Sequence, residues 1–255
     1  MDDLDARAGQ IAGGILAGAP FFEGLGDLTL ADAFDLQDAV AERLAGPLGG
    51  RGGWKIAWNV PHLMEKFAMP HPGMGRVFKD HIRADGAEIQ LADYQNLMIE
   101  AEIVARLSAD IGPGRTHTKE SVAAAVEGFT VGYEVLDRRA SPADARAPAI
   151  LAQNVFNAGA VHGATWVETG ALDPGAIQTV MTDNDTIVVD GAAMAPQDPL
   201  EAIAFLANHY TARGETMNAG DIILCGSHIP LYPIENQTKL VLSMGELGAV
   251  TLVVS

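Results

Sequence analysis

The order of apolar and polar positions predicts helices at the start of the chain and mostly short strands after it. Residues 4–16 and 28–44 carry apolar side chains at helical spacing, with Thr29 as a cap and Gly46 as the stop of the second helix. Apolar runs predict strands at 54–58, 97–105, 129–136, 159–169, 177–182, 186–189, 221–225, 239–243 and 249–254, and later helices are predicted at 119–127 and 198–213. Because helices and strands do not alternate regularly, the pattern indicates a mixed α+β fold and not a doubly wound parallel sheet.

Other segments are predicted to lie outside regular structure. Residues 59–80 are rich in Pro, Gly and Met, and we interpret them as an irregular segment long enough to form a lid. Residues 139–150 indicate an Ala/Pro-rich loop, and Asp190-Gly191 indicates a turn. We divide the chain into a helical N-terminal region at 1–50 and a larger domain at 51–255.

Composition and charge narrow the classes of function. The chain has 255 residues, of which 48% are hydrophobic, so it can bury a sizeable core. Its 33 acidic and 16 basic residues give a net charge of −17 without a basic stripe, which argues against nucleic acid or an anionic membrane as a partner. The single Cys225, the acidic N-terminus and the lack of an apolar run of ~20 residues argue against a secreted or membrane-spanning protein. We therefore expect a cytoplasmic enzyme or binding protein.

Two glutamates one residue apart are the first candidates for chemistry. Glu100 and Glu102 stand in the apolar run 97–105, and residues i and i+2 of a strand point to one face. Their like charges repel and lose hydration in such a setting, which a hard divalent cation such as Mg²⁺, Mn²⁺ or Ca²⁺ would relieve. The alternative is a strand with one polar face in contact with water.

Other polar residues in apolar surroundings extend this hypothesis. Glu134 is a third candidate ligand, unless it forms a buried salt bridge with Arg138 or Arg139. Lys55 lies among tryptophans and is either a buried ammonium that binds a carboxylate or transfers a proton, or a lysine that makes cation–π contacts. Ser227, at the end of a predicted strand, is either a substrate contact or a turn serine. The seven histidines show no zinc-binding spacing.

The chain contains six short motifs whose order along the sequence can be compared with that of known families. They are the early helix with Ala33, Gln37 and Ala39; Gly53-Trp54-Lys55-Ile56; Ile99-Glu100-Ala101-Glu102-Ile103; Tyr133-Glu134-Val135-Leu136-Asp137-Arg138-Arg139; Asp198-Pro199-Leu200 with Leu206-Ala207-Asn208; and Ala219-Gly220-Asp221-Ile222-Ile223-Leu224 followed by Gly226-Ser227. In these motifs the chain resembles the 2-keto-4-pentenoate hydratase / 4-oxalocrotonate decarboxylase family of the fumarylacetoacetate hydrolase superfamily. The resemblance implies a mixed β-sheet roll or barrel like the C-terminal domain of fumarylacetoacetate hydrolase, with a small helical N-terminal region, so that 51–255 would be the catalytic domain.

The resemblance also implies a site and a chemistry. It implies a Mg²⁺ or Mn²⁺ ion at Glu100, Glu102 and Glu134, with Lys55 as a catalytic group. The implied substrate is a 2-oxo acid or 2-hydroxydienoate that chelates the metal through its C1 carboxylate and C2 oxygen. In a hydratase the metal would stabilise the dienolate that forms as a proton moves along the substrate; ketonisation then gives an α,β-unsaturated ketone, to which water adds at C4. In a decarboxylase the metal would stabilise the enolate that forms as CO₂ leaves.

Some residues that would face the substrate depart from the family pattern. Only Asp80, followed by His81, remains of an acidic pair after the lid segment, and Asp80 is a candidate general acid or base. Gln153 precedes Asn154 where the family has an Asp-Asn pair, and Asn154 is a candidate substrate contact. Near the C-terminus, a usual Gly-Asp is replaced by Asn236-Gln237-Thr238-Lys239.

The sequence leaves more than one function open. We expect a metal-dependent hydratase in the catabolism of an aromatic compound. A decarboxylase of a 4-oxalocrotonate-like 2-oxo diacid on the same site is the alternative, and a non-catalytic partner subunit of such an enzyme is a further one. The expected ligand is a small 2-oxo acid, and we expect a homo-oligomer, with a pathway enzyme as a further candidate partner.

Overall fold

The computed structural model describes residues 3–168, 170 and 172–255. Its helices are α1 (Asp3–Leu16), α2 (Leu30–Ala45), α3 (Pro61–Lys66), α4 (Lys119–Ala123), α5 (Ala147–Ala152) and α6 (Pro199–Ala212). Its strands are β1 (Arg51–Ala57), β2 (Gly73–Phe78), β3 (Ile82–Ala84), β4 (Ala87–Ile89), β5 (Leu97–Leu107), β6 (Val126–Asp137), β7 (Asn157–His162), β8 (Gln178–Asp183), β9 (Thr186–Ala192), β10 (Ile222–Ser227), β11 (Tyr232–Pro233), β12 (Thr238–Met244) and β13 (Ala249–Val254). Within the described residues, no helix has both the length and the apolar character needed to cross a membrane.

Two mixed sheets carry the fold. The main sheet has the order β2-β1-β10-β5-β6-β7-β3, with β11 paired to β5, and the second sheet has the order β4-β13-β12-β8-β9. The two ends of the main sheet, β2 and β3, are joined by residues 79–81 alone, so the sheet must curl into a roll. The structure thus confirms the mixed α+β fold that the order of elements predicts and the roll that the family resemblance implies.

Alternation along the central strands sorts side chains onto the two faces of the main sheet. Trp54, Ile103 and Tyr133 are fully buried in the large hydrophobic core on one face. Their neighbours in sequence, among them Lys55 and Glu102, therefore point to the opposite face. The core thus fixes the register that brings the charged residues together.

The first two helices pack together in a separate hydrophobic cluster, which also includes Phe78 of β2 and Ala152 of α5. Thr29 caps α2 by accepting from the Asp32 N–H at 3.1 Å, and buried Leu36 and Leu44 of α2 pack in one cluster with Ile11 of α1. Both helices were predicted from the sequence and are confirmed. The division of the chain at residue 50 stays a prediction, and its first two residues, Met1 and Asp2, lie outside the described part of the chain.

Two segments predicted to be irregular contain regular structure. Residues 59–80 hold α3 and β2, and residues 139–150 hold the start of α5. The prediction missed β2 because Gly73 and Gly75 weaken its strand pattern. The strand forms because its backbone pairs along β1 and all its side chains are buried.

The turn predicted at Asp190-Gly191 is wrong. Both residues lie inside β9, where they pair with Val180 and Thr179 of β8. The hairpin turn lies instead at Asn184-Asp185, whose φ angles are 46° and 67°. Asn and Asp tolerate this left-handed conformation better than most other residues, which explains the position.

Two predicted elements are shorter in the structure. The helix predicted at 119–127 ends at Ala123, because β6 begins at Val126 and takes over the following residues. The strand predicted at 159–169 corresponds to β7, which ends at residue 162. Its last predicted position, Thr169, lies outside the described residues.

Candidate active site

Three glutamates converge on one face of the main sheet. Glu100 and Glu102 lie on β5, and Glu134 on β6 is the direct partner of Glu100 in the antiparallel register. One carboxylate oxygen of each lies within 4.8 Å of the others. The strands present them together because Ile99 and Ile103 pack into the large core, which turns the residues between them to the opposite face.

Lys55 joins this glutamate cluster from β1. Its Nζ lies 2.7 Å from Glu134 Oε1 and donates a hydrogen bond to the Val155 carbonyl at 3.3 Å. Gly75 of β2 leaves room for the lysine, because a Cβ at that position would lie 3.2 Å from Lys55 Cγ. Glu134 is therefore paired with Lys55, and the salt bridge to a following arginine that the sequence allowed is wrong.

Burial changes the protonation of the cluster. Glu102 and Glu134 are fully buried, and Glu100 is half-buried. Burial, and after it the neighbouring Glu134, raise the pKa of Glu100 to about 8. Burial, and after it Glu100, raise the pKa of Glu102 well above its usual value. Without a cation, Glu100 is therefore largely protonated at neutral pH, and the pKa of Glu102 is shifted in the same direction.

The remaining oxygens of the cluster indicate what it can hold. Glu102 Oε1 and Glu134 Oε2 are buried and have no hydrogen-bond partner among the described residues. A buried polar atom without a partner is costly, and one lysine leaves an excess of negative charge among three carboxylates. Carboxylate oxygens are the donors that hard divalent cations prefer. The residues therefore fit a divalent cation.

Two further groups orient the glutamates. Asn157 Nδ2 donates to Glu134 Oε1 at 2.8 Å, and the Gly226 N–H donates to Glu102 Oε2. Gly226 has a φ of 116°, and the Asn59 side chain packs against it so closely that a Cβ would not fit. The sequence analysis did not identify Asn157 or Asn59, because their contacts arise from strand pairing and loop packing and not from a spacing along the chain.

Asp80, the predicted acid or base, lies at the edge of the roll. It is exposed in the short 3₁₀ turn between β2 and β3, and its carboxylate packs against Gly49. Among the described residues, it forms neither a hydrogen bond nor an ion pair with Lys55. The next residue, His81, is half-buried, and burial and then Arg83 lower its pKa. Asp80 is therefore not linked to Lys55 by a direct polar contact in the described structure, and its catalytic role stays a prediction.

The two predicted substrate contacts have partners within the fold. The side-chain amide of Asn154 accepts from the Arg76 N–H and donates to the Arg76 carbonyl, both at 2.8 Å. Ser227 Oγ donates to the Ile229 carbonyl at 2.7 Å at the end of β10. These bonds show structural roles for both residues, and their contact with substrate stays a prediction.

A cavity of about 210 Å³ lies on the side of Asn157, the hydrogen-bond partner of Glu134, and neither the three glutamates nor Lys55 is among its lining residues. Asn157, which holds Glu134, is part of its lining. His81 and Gln153, two of the residues that depart from the family pattern, line the same cavity. The altered segment at 236–239 lies elsewhere, at the start of β12 in the second sheet.

Comparisons with known proteins agree with the family resemblance of the sequence motifs. A family model described as Fumarylacetoacetate (FAA) hydrolase C-terminal matches residues 59–255. The chain is 27% identical over 231 residues to a 2-keto-4-pentenoate hydratase of Burkholderia vietnamiensis (strain G4 / LMG 22486). This alignment covers 88% of this chain and 85% of the relative. The chain is also 28% identical over 217 residues to a 4-oxalocrotonate decarboxylase of Pseudomonas sp. (strain CF600). That alignment covers 83% of this chain and 81% of the relative.

One solved structure matches nearly the whole chain. It is the 4-oxalocrotonate decarboxylase from Pseudomonas putida G7, complexed with magnesium and adipate. The TM-score is 0.90 at 23% sequence identity, and the match covers 99% of this chain and 97% of that one. At this identity the likeness shows the fold, and its coverage extends over the N-terminal helices as well as the two sheets.

Proposed function

The chain belongs to the fumarylacetoacetate hydrolase C-terminal family, and we propose that it is a metal-dependent lyase that adds water to a 2-hydroxy-2,4-dienoate. The observation that carries this proposal is the convergence of Glu100, Glu102 and Glu134, with Lys55 Nζ 2.7 Å from Glu134 Oε1. The hydratase among its relatives supports the choice of reaction.

The cofactor we propose is Mg²⁺ or Mn²⁺, held by Glu100, Glu102 and Glu134. Three carboxylates suit a small hard cation and leave coordination positions for a chelating 2-oxo acid. When bound, such a cation supplies a positive centre that stabilises negative charge developing on the substrate. Glu102 and Glu134 each offer a buried oxygen that lacks a partner in the described structure, which supports this assignment.

Lys55 is the residue we assign to proton transfer. The reaction moves the proton of the C2 hydroxyl to C5 and then adds the hydroxyl of water at C4 and the proton of water at C3. Lys55 is 1% exposed, so a proton it carries is shielded from bulk water, and Glu134 orients the ammonium. Asp80 is the second candidate for this role, and its exposed position favours Lys55.

Two polar residues are proposed as substrate contacts. Asn154 Nδ2 has a second hydrogen and Ser227 Oγ has a free lone pair, so both remain candidate substrate contacts. A homo-oligomer, a pathway partner enzyme and a cytoplasmic location remain expectations from the sequence.

Decarboxylation of a 2-oxo diacid is the second candidate. The 28% identical decarboxylase favours it, and so do Arg83 and Arg139, the two arginines that line the cavity beside the cluster. A divalent cation held by the three glutamates, together with Lys55, would then supply the positive charge that stabilises the enolate formed as CO₂ leaves. The intact combination of Lys55 with the glutamates favours either reaction over a non-catalytic role.

Product analysis tests the proposal. Metal-loaded protein is incubated with 2-hydroxypenta-2,4-dienoate and, separately, with 4-oxalocrotonate. We expect 4-hydroxy-2-oxopentanoate in the proton NMR spectrum of the first reaction. Release of CO₂ from the second substrate, without hydration of the first, would show that the chain is a decarboxylase and not a hydratase. Consumption of neither substrate with Mg²⁺ or Mn²⁺ would overturn the assignment of a lyase.

A further inference from the structure

The cavity beside the glutamate cluster contains a buried arginine for which the described residues supply no acidic partner. Arg139 lines the cavity and is 5% exposed. Its Nη2 donates to the neutral Gln153 Oε1 at 2.9 Å, and its Nη1 has no hydrogen-bond partner among the described residues. A buried charge that is neither paired nor fully hydrogen-bonded is costly, so Arg139 is suited to receive an anion.

A second guanidinium faces the same space. Arg83 lines the cavity, and its Nη1 donates to the His81 carbonyl at 3.2 Å. No carboxylate pairs with Arg83 among the described residues. Two guanidiniums without carboxylate partners thus share one cavity, and their planar donors match a carboxylate well.

The acidic residues of the cavity do not satisfy these arginines. The Asp137 carboxylate accepts from three backbone N–H groups, those of Gln95, Asn96 and Arg139, at 3.2, 2.9 and 2.9 Å. Asp93 is exposed to solvent. Asp137 therefore fixes the backbone around Arg139, while the side chain of Arg139 keeps an unused donor.

The other residues that line the cavity indicate what the rest of the ligand is like. Leu16, Leu44 and Phe156 are among the apolar residues that line the cavity. Its volume of about 210 Å³ admits a molecule of a few heavy atoms. We propose that Arg139 and Arg83 bind the carboxylate of a small organic acid here, with the apolar part of the acid against these walls.

Because of where the cavity lies, two kinds of molecule can supply the carboxylate that binds in it. Asn157 lines the cavity and also donates to Glu134 of the glutamate cluster. The carboxylate belongs either to a separate small acid or to the far end of a dicarboxylic 2-oxo acid held at the cluster. Only the second source rests on the proposed function.

Binding of a simple acid tests the cavity without turnover. Protein freed of metal with a chelating resin is titrated with butyrate and with butyramide by calorimetry. We expect butyrate to bind at least about tenfold more tightly, because a hydrogen bond to a charged group is the stronger one. Arg139→Gln and Arg83→Gln should each weaken butyrate binding, the first by about tenfold or more.

The matched control removes the same charge elsewhere. Arg146 is exposed and is not among the residues that line the cavity, so Arg146→Gln should bind butyrate as the wild type does. Thermal unfolding verifies that each variant is folded, and Arg83→Gln carries the test if Arg139→Gln is not. Equal affinities for butyrate and butyramide, or wild-type affinity in the folded cavity variants, would overturn the proposal.

A second titration distinguishes the two sources. With Mg²⁺ present, 2-oxoadipate is compared with 2-oxohexanoate, which lacks the far carboxylate. If 2-oxoadipate binds about tenfold or more tightly than 2-oxohexanoate, and Arg139→Gln removes this difference in affinity, the cavity binds the far carboxylate of the substrate itself. Simultaneous, independent binding of butyrate and 2-oxohexanoate would assign it to a separate acid. Both results support a carboxylate site, and neither depends on catalysis.

Discussion

Glu100 and Glu134 are direct partners across β5 and β6, so two carboxylates face each other in an antiparallel strand pair. Like charges in this position destabilise a sheet. Lys55 lies 2.7 Å from one of them and offsets one charge, while Glu102 adds another. The arrangement is therefore most stable with a second positive centre, and this requirement links the fold to its proposed metal chemistry.

The pH dependence of stability follows from Glu100. Its pKa rises from 4.5 to about 8 in the folded protein, so its contribution to stability is present below pH 4.5 and is lost as the pH rises through about 8. A divalent cation needs deprotonated carboxylates and reverses this loss. We expect the increase in Tm caused by Mg²⁺ to grow between about pH 5.5 and about pH 8.5 in thermal unfolding. An increase that is constant over this range would contradict the prediction.

Glu102→Gln should change metal affinity and metal-free stability in opposite directions. The substitution removes one ligand, so we expect Mg²⁺ affinity to fall in calorimetry by more than the roughly 10- to 100-fold that is typical for loss of an outer contact. It also removes a buried carboxyl group whose pKa is raised by burial and by Glu100, and such a group costs stability above its ordinary pKa, so the Tm of the metal-free protein should rise near pH 8. Glu88→Gln, at an exposed position of β4, is the control and should change neither quantity. Wild-type Mg²⁺ affinity in Glu102→Gln would exclude Glu102 as a ligand.

Asn157→Ala should weaken metal binding although Asn157 is not itself a proposed ligand. Its amide orients Glu134 through a 2.8 Å hydrogen bond. Loss of such an outer contact typically costs about 10- to 100-fold in metal affinity, and we expect a change in this range by calorimetry. Asn218→Ala, at an exposed position, serves as the control. An unchanged Mg²⁺ affinity would show that Glu134 is held without Asn157.

Lys55→Met should separate catalysis from metal binding. The ammonium lies beside Glu134, so its removal takes a competing positive charge away from the cation, and Mg²⁺ affinity should be kept or increased. Turnover should fall by about 10²- to 10⁴-fold, since the residue assigned to proton transfer is lost. Lys66→Met, at the exposed end of α3, should leave both values unchanged. Turnover within a few-fold of wild type would remove Lys55 from the mechanism.

The predictable part of the site depends on local spacing. Alternation along one strand places Glu100 and Glu102 on the same face, and this rule needs no knowledge of the fold. The pairing of Glu134 with Lys55 joins strands far apart in sequence, and the family resemblance anticipated their meeting but not their salt bridge. Asn157 was missed because its contact with Glu134 exists only through the pairing of β6 with β7.

The fold shows the same distinction between local and distant causes. The helix α2 was found because Thr29 and Gly46 mark its ends within the segment itself. The strand β2 was missed because its stability comes from pairing with β1 and from burial, and its glycines hide the local pattern. Gln153 stood out only as a departure from a pattern, and its bond to Arg139 gives that departure a physical meaning.

The most direct test is the ultraviolet absorbance of 2-hydroxypenta-2,4-dienoate mixed with protein freed of metal. We predict no enzymatic loss of the dienol band until Mg²⁺ or Mn²⁺ is added, and rapid loss afterwards. Glu102→Gln should show no such loss under the same conditions. Equal rates with and without a divalent cation, or no loss with any divalent cation, would contradict a hydratase that works through the three glutamates.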